Sequence, residues 1–200
     1  MRIFGIDPGS ERTGYGCVET DAGRHRLVVC GAITASPRDP FPQRLARIHR
    51  ELRALLASCR PDCVAVENLF YATNARSALK LGHARGVAIL AAVEAGCTIV
   101  EYTPAEVKRA VVGYGRAEKH QVQQMIKLLL GLSRVPAPHD AADALAVAIC
   151  HLHSMPPAAR DSGLGTRGSE RGARDPGLGT RDPAARKRPL TSWRQYRPAP

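Results

Sequence analysis

The chain is predicted to be a mixed α/β protein, a five-stranded sheet that is part antiparallel and part parallel, flanked by helices. Three observations lead there. The segments Ile3–Ile6, Tyr15–Glu19 and Arg26–Ile33 are strand-like, and the tight connections between them, Pro8-Gly9-Ser10 and Asp21-Ala22-Gly23, start the sheet as a meander. Beyond Pro40 the pattern changes, and amphipathic segments alternate with the short apolar runs Cys63–Glu67 and Thr98–Tyr102, which suit interior strands covered on both faces. Finally, the first and fourth of these strands both run straight into a carboxylate, Asp7 and Glu67, so charge is carried to the lip of an apolar sheet.

Asp7 has two readings on its own segment. It is either an Asx-turn residue that shapes the entry into Pro8-Gly9, or a functional carboxylate whose desolvation must be met by a cation or by hydrogen-bond donors. From Pro40 onward Leu45, Ile48, Leu52, Leu55 and Leu56 form one stripe, with Arg44, Arg47, Glu51 and Arg53 off it, which is the spacing of an amphipathic helix that Pro61-Asp62 ends. A helical crossover of this kind makes Cys63–Glu67 parallel to the first strand. Asn68–Thr73 reads as a polar and aromatic loop, and Ala75–Gly96 as a long helix. On that helix Ala78, Gly82 and Gly86 align into a flat face, open either to its own sheet or to another subunit. Thr98–Tyr102 is the fifth strand, Pro104 starts a helix reaching Val112, and Gly113-Tyr114-Gly115 is a loop. Glu118–Leu130 is a helix with Val122, Met125, Ile126 and Leu129 as its apolar face. Pro136-Ala137-Pro138 interrupts the chain, and His139-Asp140 opens a last helix with Ala142, Leu145, Ala146 and Ile149 facing the core.

Composition divides the 200 residues into a folded part, 1–155, and a tail, 156–200. The tail holds ten Lys/Arg against four Asp/Glu, six Gly and seven Pro, and repeats Gly-Leu-Gly-Thr-Arg at 163–167 and 177–181, so it is expected to be a disordered, basic, low-complexity appendage. The folded part is basic in its own right, with 19 basic and 14 acidic side chains of a total net charge of +11, which suits nucleic acid or phosphate partners. No apolar stretch reaches the roughly 18–20 residues of a membrane span, and the expected location is cytoplasmic. Cys17, Cys30, Cys59, Cys63, Cys97 and Cys150 sit singly in apolar segments, as reduced core thiols do. A metal site from Cys59, Cys63, His151 and His153 has no recognised zinc spacing.

Asp140 and Asp143 lie three apart at the start of the last helix and share one of its faces. Capping by Asp140 with Asp143 solvated explains them separately. If the helix packs over the sheet edge that carries Asp7 and Glu67, however, four carboxylates meet in a domain of net positive charge. Hard divalent cations need such oxygen donors. Two Mg²⁺ ions about 3.5–4 Å apart can activate water and stabilise the leaving oxygen in phosphodiester hydrolysis. His139 is open between metal ligand, acid/base, phosphate contact and a solvated helix-terminus residue.

The motifs Gly5-Ile6-Asp7-Pro8-Gly9-Ser10 with Thr13-Gly14-Tyr15-Gly16, Val66-Glu67, Asn74 to Gly82, Ala117-Glu118-Lys119 and Asp140-Ala141-Ala142-Asp143-Ala144-Leu145-Ala146 resemble, in order and spacing, those of the RuvC family of Holliday junction resolvases. The resemblance covers Met1 to about His153. It implies a ribonuclease H-like fold and a Mg²⁺-dependent endonuclease, with two ions per subunit and Mn²⁺ as a substitute, held by Asp7, Glu67, Asp140 and Asp143. It further implies a homodimer, joined mainly by the long helix from Ala75, that cuts a four-way junction by paired symmetric nicks leaving 5′-phosphate and 3′-hydroxyl ends, in recombination and repair. Phe70 would stack on bases at the junction centre, Lys108 and Lys119 would lie near the scissile phosphate, and a branch-migration helicase complex is a further partner to expect. Two other classes compete. The Asp-Pro-Gly-Ser turn also resembles the phosphate loop of actin-like ATPases and sugar kinases, for whose second domain 155 folded residues leave no room; a catalytically silent junction binder would not need four carboxylates.

Overall fold

The computed structural model describes residues 1–68 and 74–155. The tail expected after Met155 and the aromatic Phe70 lie outside the described residues. The chain runs β1 (Arg2–Asp7), β2 (Arg12–Asp21), β3 (Arg24–Thr34), α1 (Phe41–Cys59), β4 (Cys63–Glu67), α2 (Ala75–Glu94), β5 (Thr98–Tyr102), α3 (Pro104–Val112), α4 (Lys119–Leu129) and α5 (His139–Ser154). The five strands form one sheet in the order β3-β2-β1-β4-β5. β1, β2 and β3 are antiparallel neighbours, whereas β4 is parallel to both β1 and β5. The expected mixed sheet is therefore present with all its strands.

β2 and β3 extend further than their apolar cores, because Asp21 and Arg24 still pair across a two-residue turn. Ala22 and Gly23 both have positive φ (46° and 75°), the backbone that a tight hairpin with right-handed twist requires.

Alternation along the strands separates two cores. Ile3, Cys63 and Ala65 point to the side covered by α5, α3 and α4, while Phe4, Ile6, Val64 and Val66 point to the side covered by α1 and α2. α5 departs from its one-faced expectation. From Ala141 to Cys150 every residue except Asp143 is buried, because α5 is sandwiched between the sheet and the α3/α4 pair. It lies almost on the sheet backbone, where a Cβ at Gly5 would come within 1.9 Å of the Ala144 carbonyl and one at Gly14 within 2.0 Å of the Asp140 carbonyl. Glycines in strands thus mark the close approach of a helix.

α1 also departs from expectation. Arg44 belongs to the buried stripe with Ile48, Leu52, Leu56 and Cys59, while Leu45 is only half-buried. The i, i+4 progression from 44 to 56 puts this arginine inward, where its charge meets the Ser10 carbonyl and the Phe41 ring. On α2 the sheet side is made of Ala84, Ala88, Ala91 and Ala92. Ala78, Gly82 and Gly86 lie on the other side and are exposed, so the flat glycine face does not serve packing on its own sheet. Among the described residues, no helix is long and apolar enough to cross a membrane.

Candidate active site

Strand alternation and register bring the first two carboxylates together. Ile6 pairs with Val66 in the parallel β1/β4 ladder, so Asp7 and Glu67 leave adjacent strands at the same edge. Both continue the rows Ile3-Gly5-Asp7 and Cys63-Ala65-Glu67, which face α5. The glycine contacts at Gly5 and Gly14 hold the start of α5 against this edge and deliver Asp140 and Asp143. Asp7, Glu67 and Asp143 then line one cleft of about 340 Å³, with Lys108 of α3 and Lys119 of α4 on its rim and Val107, Val122 and Ala146 in its wall. α3 is set by a capping box at Thr103 and Glu106, which holds the turn that leads to Lys108.

The charges in this cleft do not cancel locally. Burial raises the Asp7 carboxyl to about 9, reinforced by Glu67, with which it shares a hydrogen bond, and by the fields of Asp143 and Asp140. Burial also raises Glu67, although the bond from Asp7 and the fields of Lys119 and Lys108 oppose that rise. Asp7 and Glu67 therefore hold a proton between them in the absence of a cation. Asp143 Oδ2 accepts a hydrogen bond from Lys119 Nζ at 2.6 Å. For Lys119 burial alone would lower the pKa, and the bond to Asp143 with the surrounding carboxylates outweighs it, leaving the ammonium strengthened. Asp140 Oδ2 lies 3.8 Å from Arg12 Nη1. Arg12 was not singled out in the sequence, where nothing but its charge marks it.

His139 is exposed, and its Nδ1 accepts from the Gln123 amide at 2.9 Å. Gln123 is itself a buried polar residue on α4, beside the buried Val122 and Ile126. His139 is not among the residues that line the cleft. The alternative cysteine and histidine cluster does not assemble: His151 pairs with the Tyr102 hydroxyl and His153 with the Ala110 carbonyl.

The donor chemistry suits a hard divalent ion, since every acidic side chain in the cleft offers carboxylate oxygen and the half-buried Asp7 and Glu67 repel each other unless a cation or a proton separates them. Among the described residues, no three His, Cys, Asp or Glu side chains are gathered into a metal cage as they stand. Asp143 and Asp140 instead stand against basic side chains, Lys119 at 2.6 Å and Arg12 at 3.8 Å.

Residues 3–151 match the family model described as Crossover junction endodeoxyribonuclease RuvC. A relative of that name from Koribacter versatilis (strain Ellin345) is 56% identical over 155 residues, covering 77% of this chain and 93% of the relative. Another, from Syntrophomonas wolfei, is 51% identical over 154 residues, covering 77% and 90%. Among solved structures, T. thermophilus RuvC in complex with Holliday junction substrate aligns with a TM-score of 0.73 at 39% identity, over 76% of this chain and 93% of that one. The yeast mitochondrial Holliday junction resolvase Ydc2 is similar in fold, with a TM-score of 0.57 at 16% identity over 76% and 77% of the two chains.

Proposed function

The chain belongs to the RuvC family of crossover junction endodeoxyribonucleases, and on that premise we propose that the cleft between β1, β4 and α5 is where it cuts DNA. The protein is a Holliday junction resolvase of ribonuclease H-like fold, a nuclease of recombination and repair. The observation that carries the site is the half-buried Asp7 and Glu67 pair, which shares one cleft with Asp143 and two lysines.

In this reading Asp7, Glu67, Asp140 and Asp143 hold two Mg²⁺ ions per subunit, with Mn²⁺ as a substitute. When bound, the ions supply an activated water and charge stabilisation for the leaving oxygen. Lys119, which lies 2.6 Å from Asp143, would stand near the scissile phosphate, and Lys108, which lines the same cleft, would hold a backbone oxygen beside it. Val107, Val122 and Ala146 line the cleft with apolar surface, which lowers the dielectric around these charges. Phe70, which lies outside the described residues, stacks on unpaired bases at the junction centre. His139 orients the start of α5 through Gln123.

Two copies pair through the outer face of α2, so that two clefts make symmetric nicks leaving 5′-phosphate and 3′-hydroxyl ends. Residues 1–155 are the nuclease domain and 156–200 a basic tail; the protein acts in the cytoplasm, in concert with a branch-migration helicase complex. The test is cleavage of a labelled mobile four-way junction beside a linear duplex of the same sequence, with Mg²⁺ or with chelator. Paired nicks in the junction alone, only with metal, are expected. Binding without nicks would reduce the protein to a junction binder.

A further inference from the structure

We infer that Arg44 and Arg85 are positioning residues that brace, from the far side of the sheet, the loop roots on which Asp7 and Glu67 stand. The inference rests on the active-site reading of those two carboxylates. Arg44, at the start of α1, is 4% exposed and is the one fully buried charged side chain among the described residues. Its Nη1 donates to the Ser10 carbonyl at 3.2 Å and lies 3.5 Å from Glu11 Oε1, while its guanidinium carbon sits 5.2 Å from the centre of the Phe41 ring. Ser10 and Glu11 form the turn that leaves Asp7. Arg85, in the middle of α2, places Nη2 at 2.6 Å from Glu101 Oε1. The other oxygen of Glu101 accepts from Asn68 Nδ2 at 3.4 Å, and the Asn68 backbone donates to the Tyr102 carbonyl at 2.8 Å. Asn68 directly follows Glu67.

Neither arginine reaches the acidic cleft. Local stability does not explain them either. A guanidinium taken out of water is costly, as that of Arg44 is; Arg85 keeps 26% of its side chain exposed, yet both leave Nε buried with no partner among the described residues. A Met at either place would fill similar space without that cost. What the arginines do supply is fixed geometry: two carboxylates that repel each other must be held from behind if they are to stay within the roughly 0.5 Å tolerance of a functional site.

The experiment compares full-length wild type with Arg44→Met, Arg85→Met and the corresponding Lys variants. Four quantities are read: unfolding temperature in chelator, its rise on adding Mg²⁺ without DNA, junction binding in chelator, and the Mg²⁺ concentration for half-maximal cleavage. The Met variants are expected to fold and bind junction like wild type, yet to need about tenfold more Mg²⁺ or beyond, the usual penalty for losing a group that orients ligands, and to show a smaller Mg²⁺-induced rise. The Lys variants keep the charge without the planar fork and fall in between. An unchanged Mg²⁺ requirement, or activity lost only in proportion to folding, overturns the inference. If a Met variant fails to fold, its Lys counterpart decides by the same titration. Should wild type itself not nick the junction, the proposed function falls, while the Mg²⁺-induced rise in unfolding temperature still judges the brace.

Discussion

Asp7 concentrates the chemistry of the site into one side chain. Its carboxyl is raised from an ordinary 3.8 to about 9 by burial and by Glu67. The folded chain therefore keeps a proton that the unfolded chain gives up once the pH passes the ordinary carboxylate range. Stability without metal consequently falls as pH rises from about 4 towards 9. Asp7→Asn removes this penalty. In chelator at pH 7 the variant is expected to be more stable by about 0.5–2 kcal/mol, the range common for a single stabilising substitution, and the difference should vanish near pH 4 in thermal unfolding. The same variant should bind junction normally but cleave about a thousandfold more slowly or worse, the rate equivalent of several kcal/mol. Loss of binding together with cleavage would instead mark Asp7 as a structural residue.

At the scale of elements, α5 is the piece that makes a site of two strand ends. It contributes Asp140 and Asp143, and it is seated by close backbone approach at the glycines of β1 and β2 together with the packing of Leu145 and Ile149 into the core. Gly5→Ala would put a methyl 1.9 Å from the Ala144 carbonyl, so the helix must lift. A loss of about 1–3 kcal/mol or more is expected in urea unfolding, as for overpacked cores, with cleavage falling further than stability because both α5 carboxylates move. A helix with the same sequence over a strand bearing alanine could not approach as closely. The sequence showed the carboxylates but hid the reason they meet, since a glycine in a strand carries no sign of which element comes down on it.

Across the whole molecule, the surface of α2 turned away from the sheet is unusually apolar. Leu79, Leu90 and Val93 are 65%, 49% and 58% exposed, and Ala78, Gly82 and Gly86 run between them above Leu45. A patch of this kind marks an interface more often than a solvated face. Leu90→Glu is expected to convert the proposed dimer to a monomer in sedimentation and to replace paired nicks by slow single ones, without altering the fold. Charge is the other property of the molecule at large. Of the net +11, the residues after Met155 supply +6, from ten basic and four acidic side chains. A chain ending at Met155 should fold and cleave, but should bind DNA more weakly at low salt and show a shallower dependence of affinity on salt. Equal salt slopes for the two lengths would leave the tail no part in binding.

Much of this protein was readable from residue order alone. Strand and helix identities followed from apolar periodicity, and the parallel pairing of β4 with β1 from the helical crossover between them. Asp7 and Glu67 stood out as charges ending apolar runs, and Asp140 with Asp143 as a pair on one helix face. Local pattern could not reveal the partners of charged groups, because those come from elsewhere in the chain. Arg44 falls on a core stripe only because the Ser10 turn and Phe41 receive it; Arg12 and Lys119 matter because folding sets them against Asp140 and Asp143. The periodicity of α5 suggested one buried face, whereas layers on both sides bury it nearly throughout. Periodicity reports what a segment can hide; how closely a backbone approaches, and which charges end up facing each other, is set by the packing of elements far apart in the chain.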